Sequence, residues 1–336
     1  MSADPARIVR ALSRRQFLQR SATVAAAATA LSVARGAHAA GSDVVRIGMV
    51  GCGGRCTGAA ADAMTADPSV RLVAMTDLFA DRVQAKRKML KEQKHEQVQV
   101  ADDHCFSGID GYKQVIEAAD VVLIACAARF HPYYVKAVIE AGKHVFVEKP
   151  HGIDPRGIKM LTAACQLAKQ KNLGVLSGLQ SRFHTGIRQT IQRVLDGQIG
   201  EIVAIEENFI RPPYGNTNRP AGLRELEVQY ANQYRFSWLC GDDVPQSLVH
   251  NLDRATWALQ ETPPVSCHGL GGRSSSQRLL GDVFDHHSVV YRYKSGVRIY
   301  AFCRTTLGCY NENSSVILGS QGTAYPLAAR IEGAKP

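Results

Sequence analysis

Three short stretches carry residue types and spacings suited to chemistry. "VGCGGR" sets Gly51, Cys52, Gly53, Gly54 and Arg55 after an apolar run, with Asp77 26 positions beyond Gly51. Gly51 allows a tight turn there, and Gly53 lets the backbone approach a pyrophosphate whose charge meets the N-terminus of the next helix. Asp77 stands where the acid ending a second strand can hydrogen-bond an adenosine ribose. "EKP" puts Lys149 at the carboxyl end of a strand, where open α/β sheets present groups to ligands. "GDDVPQSLVHNLD" reads as a helix start, with Asp242 or Asp243 as cap, Pro245 in the first turn, and Gln246 and His250 one turn apart on one face. Imidazole titrates nearest neutral pH, so His250 is the acid/base candidate. A loop for a dinucleotide, a strand-end lysine and a helical histidine are groups suited to binding a nucleotide and moving a proton.

The elements that must position these groups alternate. "VVRIGMVG" and "VRLVAMTD" read as buried strands, with a small-residue helix from about Thr57 to Thr65 between them. Strands follow in "DVVLIAC" and "HVFVEKP", separated by the helix "HPYYVKAVIEAG", and the basic helix "DRVQAKRKMLKEQ" reads as a solvated face. This is the βαβ alternation of a parallel sheet, an α/β fold of Rossmann type over residues 40–150. Cys56 occupies the third fingerprint position, where Gly or Ala would allow closest helix–strand contact. Residues 151–336 read as an α+β domain. Its helices are "GIDPRGIKMLTAACQLAKQKN" and "TGIRQTIQRVLDG", and its strands "LGVLSGLQ", "EIVAIEENFIR", "FDHHSVVYRY", "GVRIYAFCRT" and "SSVILGS". A hairpin is expected at Lys294-Ser295-Gly296, and a loop over the site from Pro212 to Trp238.

Ahead of these domains, "SRRQFLQ" fits a twin-arginine pattern around Arg14 and Arg15. An apolar run from Ser21 to Val33 and the small residues of Ala37-His38-Ala39 complete a cleavable export signal over residues 1–39, too short to span a bilayer. The expected location is the periplasm or another exported compartment, reached through the twin-arginine translocation machinery. The formal charge of +10 is partly signal, since six of the 40 basic residues and one of the 30 acidic residues precede residue 40. What remains, about +5, is too mild to argue for nucleic acid. Nine cysteines, with no C-x-x-C pair, argue against a disulfide framework and a zinc site. "DHH" at Asp285 to His287 resembles a metal pair, but adjacent strand residues point to opposite faces, so no metal is expected.

"VGCGGR", "TDLF", "RFHPYYVKAVIEAGKHVFVEKP", "LQSRF", "LDGQIGEI" and "GDDVPQSLVHNLDRATWAL" together resemble the glucose-fructose oxidoreductase / inositol dehydrogenase (Gfo/Idh/MocA-type) family of sugar oxidoreductases, from about Val44 to Thr323. The resemblance implies a Rossmann domain followed by a large, open, mostly antiparallel sheet that carries a sugar site and serves oligomer contacts. It implies NAD as cofactor, NADP less readily, and a sugar or polyol substrate. Lys149 would contact the cofactor ribose and the substrate hydroxyl, Glu148 the cofactor, and His131 the nicotinamide border. Arg182, His184, Tyr230, Gln246 and Asn251 are the expected sugar ligands, and Asp253 with Arg254 reads equally as a structural ion pair. Relatives often carry a carboxylate where this chain has Gln246, which cannot ionise or raise a histidine's pKa by charge. They also continue past the sheet with a helix-rich segment, whereas this chain stops at Pro336; a native short form and a truncated second domain both fit. Three activities follow: oxidoreduction with a tightly held cofactor, glycoside cleavage by transient oxidation and elimination, or cofactor binding with weak catalysis.

Overall fold

The computed structural model describes residues 44–333 apart from 95, 215–218, 220 and 275–279. The export signal read from residues 1–39 lies outside them. The chain opens with β1 (Val45–Val50), α1 (Gly54–Ala66) and β2 (Val70–Asp77), then α2 (Ala80–Gln93), β3 (Cys105–Ser107) and α3 (Tyr112–Ala118). It continues through β4 (Val121–Ile124), α4 (His131–Glu140), β5 (His144–Val147), α5 (Pro155–Gln170) and β6 (Val175–Ser177). The six strands pair in parallel in the order β3-β2-β1-β4-β5-β6.

Both faces of this sheet are covered at its centre, which is why β1, β2, β4 and β5 read as largely apolar runs. Ile47, Met49, Leu72 and Met75 pack under one layer of helices, and Val50, Val122, Ile124 and Val147 under the other. The order of strands reverses between β1 and β4, and an open α/β sheet has its ligand crevice at that point, beyond the carboxyl ends. Cys56 fits the close contact expected of its position: its Sγ lies 3.5 Å from the Leu123 carbonyl oxygen in full burial.

The sequence reading ended this domain at residue 150. β6 corrects that boundary, because Val145, Phe146 and Val147 pair in parallel with Val175, Leu176 and Ser177. α5 is the crossover that a sixth parallel strand requires.

The second layer begins with α6 (Thr185–Leu195) and β7 (Ile202–Arg211), then α7 (Glu225–Ala231) and α8 (Ser237–Cys240). A π-helical turn, Val244–Leu248, runs into α9 (Val249–Ala258). Six strands follow: β8 (Ser266–Gly272), β9 (His286–Arg292), β10 (Arg298–Thr305), β11 (Glu312–Gly319), β12 (Thr323–Tyr325) and β13 (Arg330–Glu332). They form, with β7, a seven-stranded sheet in the order β13-β12-β11-β7-β10-β9-β8, antiparallel except where β10 runs parallel to β7. Ile187, Ile191 and Val194 of α6 and Ala255 and Ala258 of α9 pack on Ile205, Ile299, Ala301 and Ile317. The expected hairpin joins β9 and β10, with Gly296 at φ +94° and Tyr293 N donating to Val297 O at 3.0 Å.

Gly51 shows how tightly the first turn is made. Its φ is +99°, and a Cβ there would lie 2.7 Å from the Ala125 carbonyl oxygen. A side chain adds both backbone strain and a clash with unyielding backbone. Gly51→Ala is expected to lower the unfolding free energy by about 1–3 kcal/mol in urea denaturation; an unchanged midpoint would show that the turn relaxes freely.

Candidate functional site

The site lies where the carboxyl ends of β1, β2, β4 and β5 meet the segment from β7 to α9. Gly53 caps α1 in extended conformation, with no side-chain cap and no acid in the helix's first turn. A Cβ on Gly53 or Gly54 would meet nothing within 4 Å, so the backbone there faces open space. Unpaired N–H groups at a helix start beside such space suit a diphosphate. Asp77 lines the same cleft as Gly51, Gly53 and Arg82. Its carboxylate also steadies the loop: Cys52 N donates to Oδ2 at 2.7 Å and Phe79 N to Oδ1 at 3.1 Å. Arg82 stands 3.6 Å from Oδ1. The residues present therefore fit a dinucleotide.

Beyond Gln233, which lines both compartments, the cleft continues to Arg55, Glu148, Lys149, Tyr234 and Gln246. Glu148 is buried, 3.1 Å from Arg55 Nε, and its carboxylate takes space that a side chain at Gly178 would fill. Burial raises the Glu148 pKa even beside Arg55. Lys149 Nζ donates to the Gln246 backbone oxygen at 2.7 Å, joining the first sheet to the π-helical turn. Burial holds its ammonium below the usual lysine range against the attraction of Glu148, and Arg211 adds to the depression. Past Gln246 and Tyr234 a further pocket opens on Arg211, Tyr214 and Asp243.

His250 is half-buried on α9, and its Nδ1 has no hydrogen-bond partner among the described residues. Burial, then the charges of Lys149 and Arg254, push its pKa down to about 4. The charge of Lys149 reaches the His250 ring, which stays uncharged near neutral pH; a neutral imidazole can accept a proton and an ammonium can stabilise an oxyanion. The expected regular helix is instead a π-helical turn up to Leu248, a feature that recurs at functional sites.

Several expected ligands do other work. His131 is 1% exposed, its ring nitrogens 2.7 Å from Pro150 O and 3.2 Å from Cys126 O, so it braces the cleft wall from behind. Arg182 grips Asp253 at 2.7 Å and Glu261 at 2.7 Å, and Asp253 thus pairs with Arg182 rather than Arg254. Arg254 instead lies 3.8 Å from the fully buried Glu207. His184 caps α6, accepting from Ile187 N at 3.4 Å. Asn251, fully buried, donates to Asn208 O at 3.1 Å and Ser314 O at 2.8 Å, which pins α9 to the sheet. Tyr230 lines the nucleotide side of the cleft and packs on Phe130 at 5.8 Å, away from the Arg211 pocket. Within "DHH", His286 pairs with Asp285 at 2.7 Å, while His287 turns inward to Cys303 at 3.5 Å. No cluster of three metal-ligating side chains occurs among the described residues. All nine cysteines are free thiols.

The sequence reading missed Arg211, Asp243, Gln233 and Tyr234. The first ends an ordinary-looking strand and the last two sit in the long connection, so spacing does not mark them. The connection expected as a loop instead carries α7 and a 3-10 turn, and it lines the cleft through Tyr214, Tyr230, Gln233 and Tyr234.

Residues 45–177 match the family described as "Oxidoreductase family, NAD-binding Rossmann fold". Over 178 residues the chain is 28% identical to dTDP-3,4-didehydro-2,6-dideoxy-alpha-D-glucose 3-reductase of Actinomadura kijaniata, covering 52% of this chain and 48% of that protein. Over 199 residues it is 26% identical to Glycosyl hydrolase family 109 protein 1 of Bacteroides fragilis, covering 58% of this chain and 39% of the relative. The chain thus spans half or less of these curated relatives. The fold is that of aldose-aldose oxidoreductase from Caulobacter crescentus, with a TM-score of 0.65 and 20% identity over 83% of this chain and 76% of that one.

The depressed His250 pKa yields a direct check. Relative to the ordinary value of 6.5, a folded value of about 4 means that the unfolded chain binds the proton more tightly. The stability contributed by neutral His250 is complete above about pH 6.5 and is lost as pH falls through about 4. By NMR, the His250 ring should titrate near 4 and move upward in Lys149→Met. A midpoint near 6.5 in the parent protein would contradict the burial and charge described here.

Proposed function

We propose that this chain is an exported oxidoreductase that moves hydride between a sugar or polyol and an NAD molecule retained in the Rossmann cleft. The reading rests above all on one contact, Lys149 Nζ to Gln246 O at 2.7 Å, where the nucleotide cleft runs into the Arg211 pocket. The names of the Actinomadura reductase and the Caulobacter aldose-aldose oxidoreductase support the substrate class. Export through Arg14 and Arg15, and association through the second sheet, belong to the same proposal.

In this mechanism the glycine loop and the start of α1 hold the diphosphate, and Asp77 meets the adenosine ribose. The bound NAD supplies the hydride acceptor. Tyr230, Gln233 and Tyr234 exclude water along the cleft. Lys149 fixes the reacting hydroxyl and favours its negative form, and neutral His250 takes the proton. Asp77 repels a 2′-phosphate, with Arg82 partly offsetting it, so NAD should bind more tightly than NADP by calorimetry. Equal or tighter NADP binding would remove Asp77 from that role.

An exported enzyme has no free nicotinamide pool, so its cofactor must stay bound and be restored in place. Roughly nanomolar retention corresponds to about 12 kcal/mol. Gel-filtered protein with no added NAD should therefore turn over many times with a donor and an acceptor sugar. Lys149→Ala and His250→Ala should each lower the rate by about two orders of magnitude while leaving NAD bound. Strict dependence on added NAD would refute retention, and wild-type turnover in either folded variant would remove that residue from the reaction. The similarity to the Bacteroides glycosyl hydrolase supports a second reading, glycoside cleavage with hydride returned to the same sugar. Release of nitrophenol from a nitrophenyl glycoside by the same preparation distinguishes the two.

A further inference from the structure

We propose that Arg211, the last residue of β7, is a positioning residue that locks the π-helical turn and thereby fixes the Lys149 ammonium in the cleft. The proposal rests on the functional reading above for the importance of Lys149, and on geometry for the rest. Arg211 Nη2 donates to Asp243 Oδ1 at 2.5 Å and to Ser247 Oγ at 2.8 Å, and Ser247 Oγ donates to the same Asp243 oxygen at 2.8 Å. One guanidinium thus ties the residue before the turn to a residue inside it. Two further contacts hold Arg211, and a third steadies its partner Ser247. Arg211 Nη1 donates to Pro212 O at 2.9 Å, its guanidinium lies 3.6 Å over the Tyr214 ring, and the Tyr214 hydroxyl meets Ser247 Oγ at 3.3 Å. β7 lies between β10 and β11 in the middle of the second sheet, so the anchor is a rigid one.

The turn needs such an anchor. A π-helical segment is rare and departs from the 3.6-residue repeat of the helix that follows, so relaxation to an α-helix would rotate its carbonyls. Gln246 O, the acceptor of Lys149 Nζ, is one of them. Lysine is a flexible four-carbon stem, and a single hydrogen bond to a fixed oxygen decides where its charge points. A path of packed polar contacts therefore runs from the second sheet through Arg211, the Asp243–Ser247 pair and Gln246 to the strand end of the first. The charged and titratable groups acting on Lys149 are Glu148 beside it, Asp243 and Arg211 across the cleft, and His250 on α9.

The test compares Ser247→Ala, Arg211→Lys and Arg211→Met with the parent protein. Ser247 is fully buried and off the cleft wall, so Ser247→Ala loosens the clamp without removing a wall residue. For each folded variant, confirmed by circular dichroism, two quantities are measured: sugar turnover, and the pH midpoint of Lys149 labelling by an amine reagent, read by peptide mass spectrometry. Both Ser247→Ala and Arg211→Met should lower kcat about tenfold to a hundredfold at unchanged NAD affinity, and should raise the labelling midpoint toward the ordinary lysine value of 10.5. Arg211→Lys should recover part of the shift but less of the rate, because an ammonium restores the charge without the planar fork. Because Arg211→Met also removes a charge that acts on Lys149 directly, an unchanged Lys149 midpoint in Ser247→Ala would by itself overturn the proposal. A shifted midpoint in a protein that oxidises no sugar would uphold the clamp and reject the functional reading.

Discussion

The hydrogen bond from Lys149 Nζ to the Gln246 backbone oxygen is the point on which the two halves of this structure depend. On one side stands a parallel sheet whose strand ends present a glycine loop, Asp77 and Lys149 along one crevice. On the other stands a sheet whose helical segment brings Gln246 to that crevice and sets His250 within reach of the Lys149 charge. Their meeting requires the second sheet to be anchored firmly, and Asn251, Ile205 and Ile317 do this from inside its core.

Burial then tunes what the junction brings together. Lys149 and His250 both lose water, and each is depressed further by a neighbouring cation. Both shifts favour the deprotonated form: the imidazole stays neutral, and the lysine holds its proton less tightly than on the surface. Glu148 opposes this for Lys149 and is itself shifted upward by burial, so the pair sits in mutual restraint. Arg254 and Glu207 form a second buried pair behind His250, where burial raises the Glu207 pKa to about 8.

The central strands of the first sheet are legible because they are largely apolar and mostly buried, and "VRLVAMTD" matches β2 residue for residue. β3, three residues long and only partly buried, carries no such mark. β6 was read as a strand but assigned to the wrong domain, since a three-residue strand carries no mark of its partner. β8 escaped notice: "SCHGLGG" is exposed along nearly its whole length and rich in glycine, so neither alternation nor burial marks it. Of the site, Lys149, Asp77 and the glycine loop were legible from position relative to strands. Arg182, His184 and Asn251 were polar residues near motifs, and only tertiary structure shows that Asp253, a helix start and two strand carbonyls engage them. The π-helical turn was hidden for a related reason: its sequence satisfies the rules for an ordinary helix start.

The crevice from Gly51 to Lys149 fits one dinucleotide. Native mass spectrometry of gently purified protein tests this most directly, with the released ligand identified after denaturation. The account predicts a mass increment of one NAD per chain that survives gel filtration. A chain that carries no nicotinamide dinucleotide, and takes up none when NAD is supplied, would contradict it.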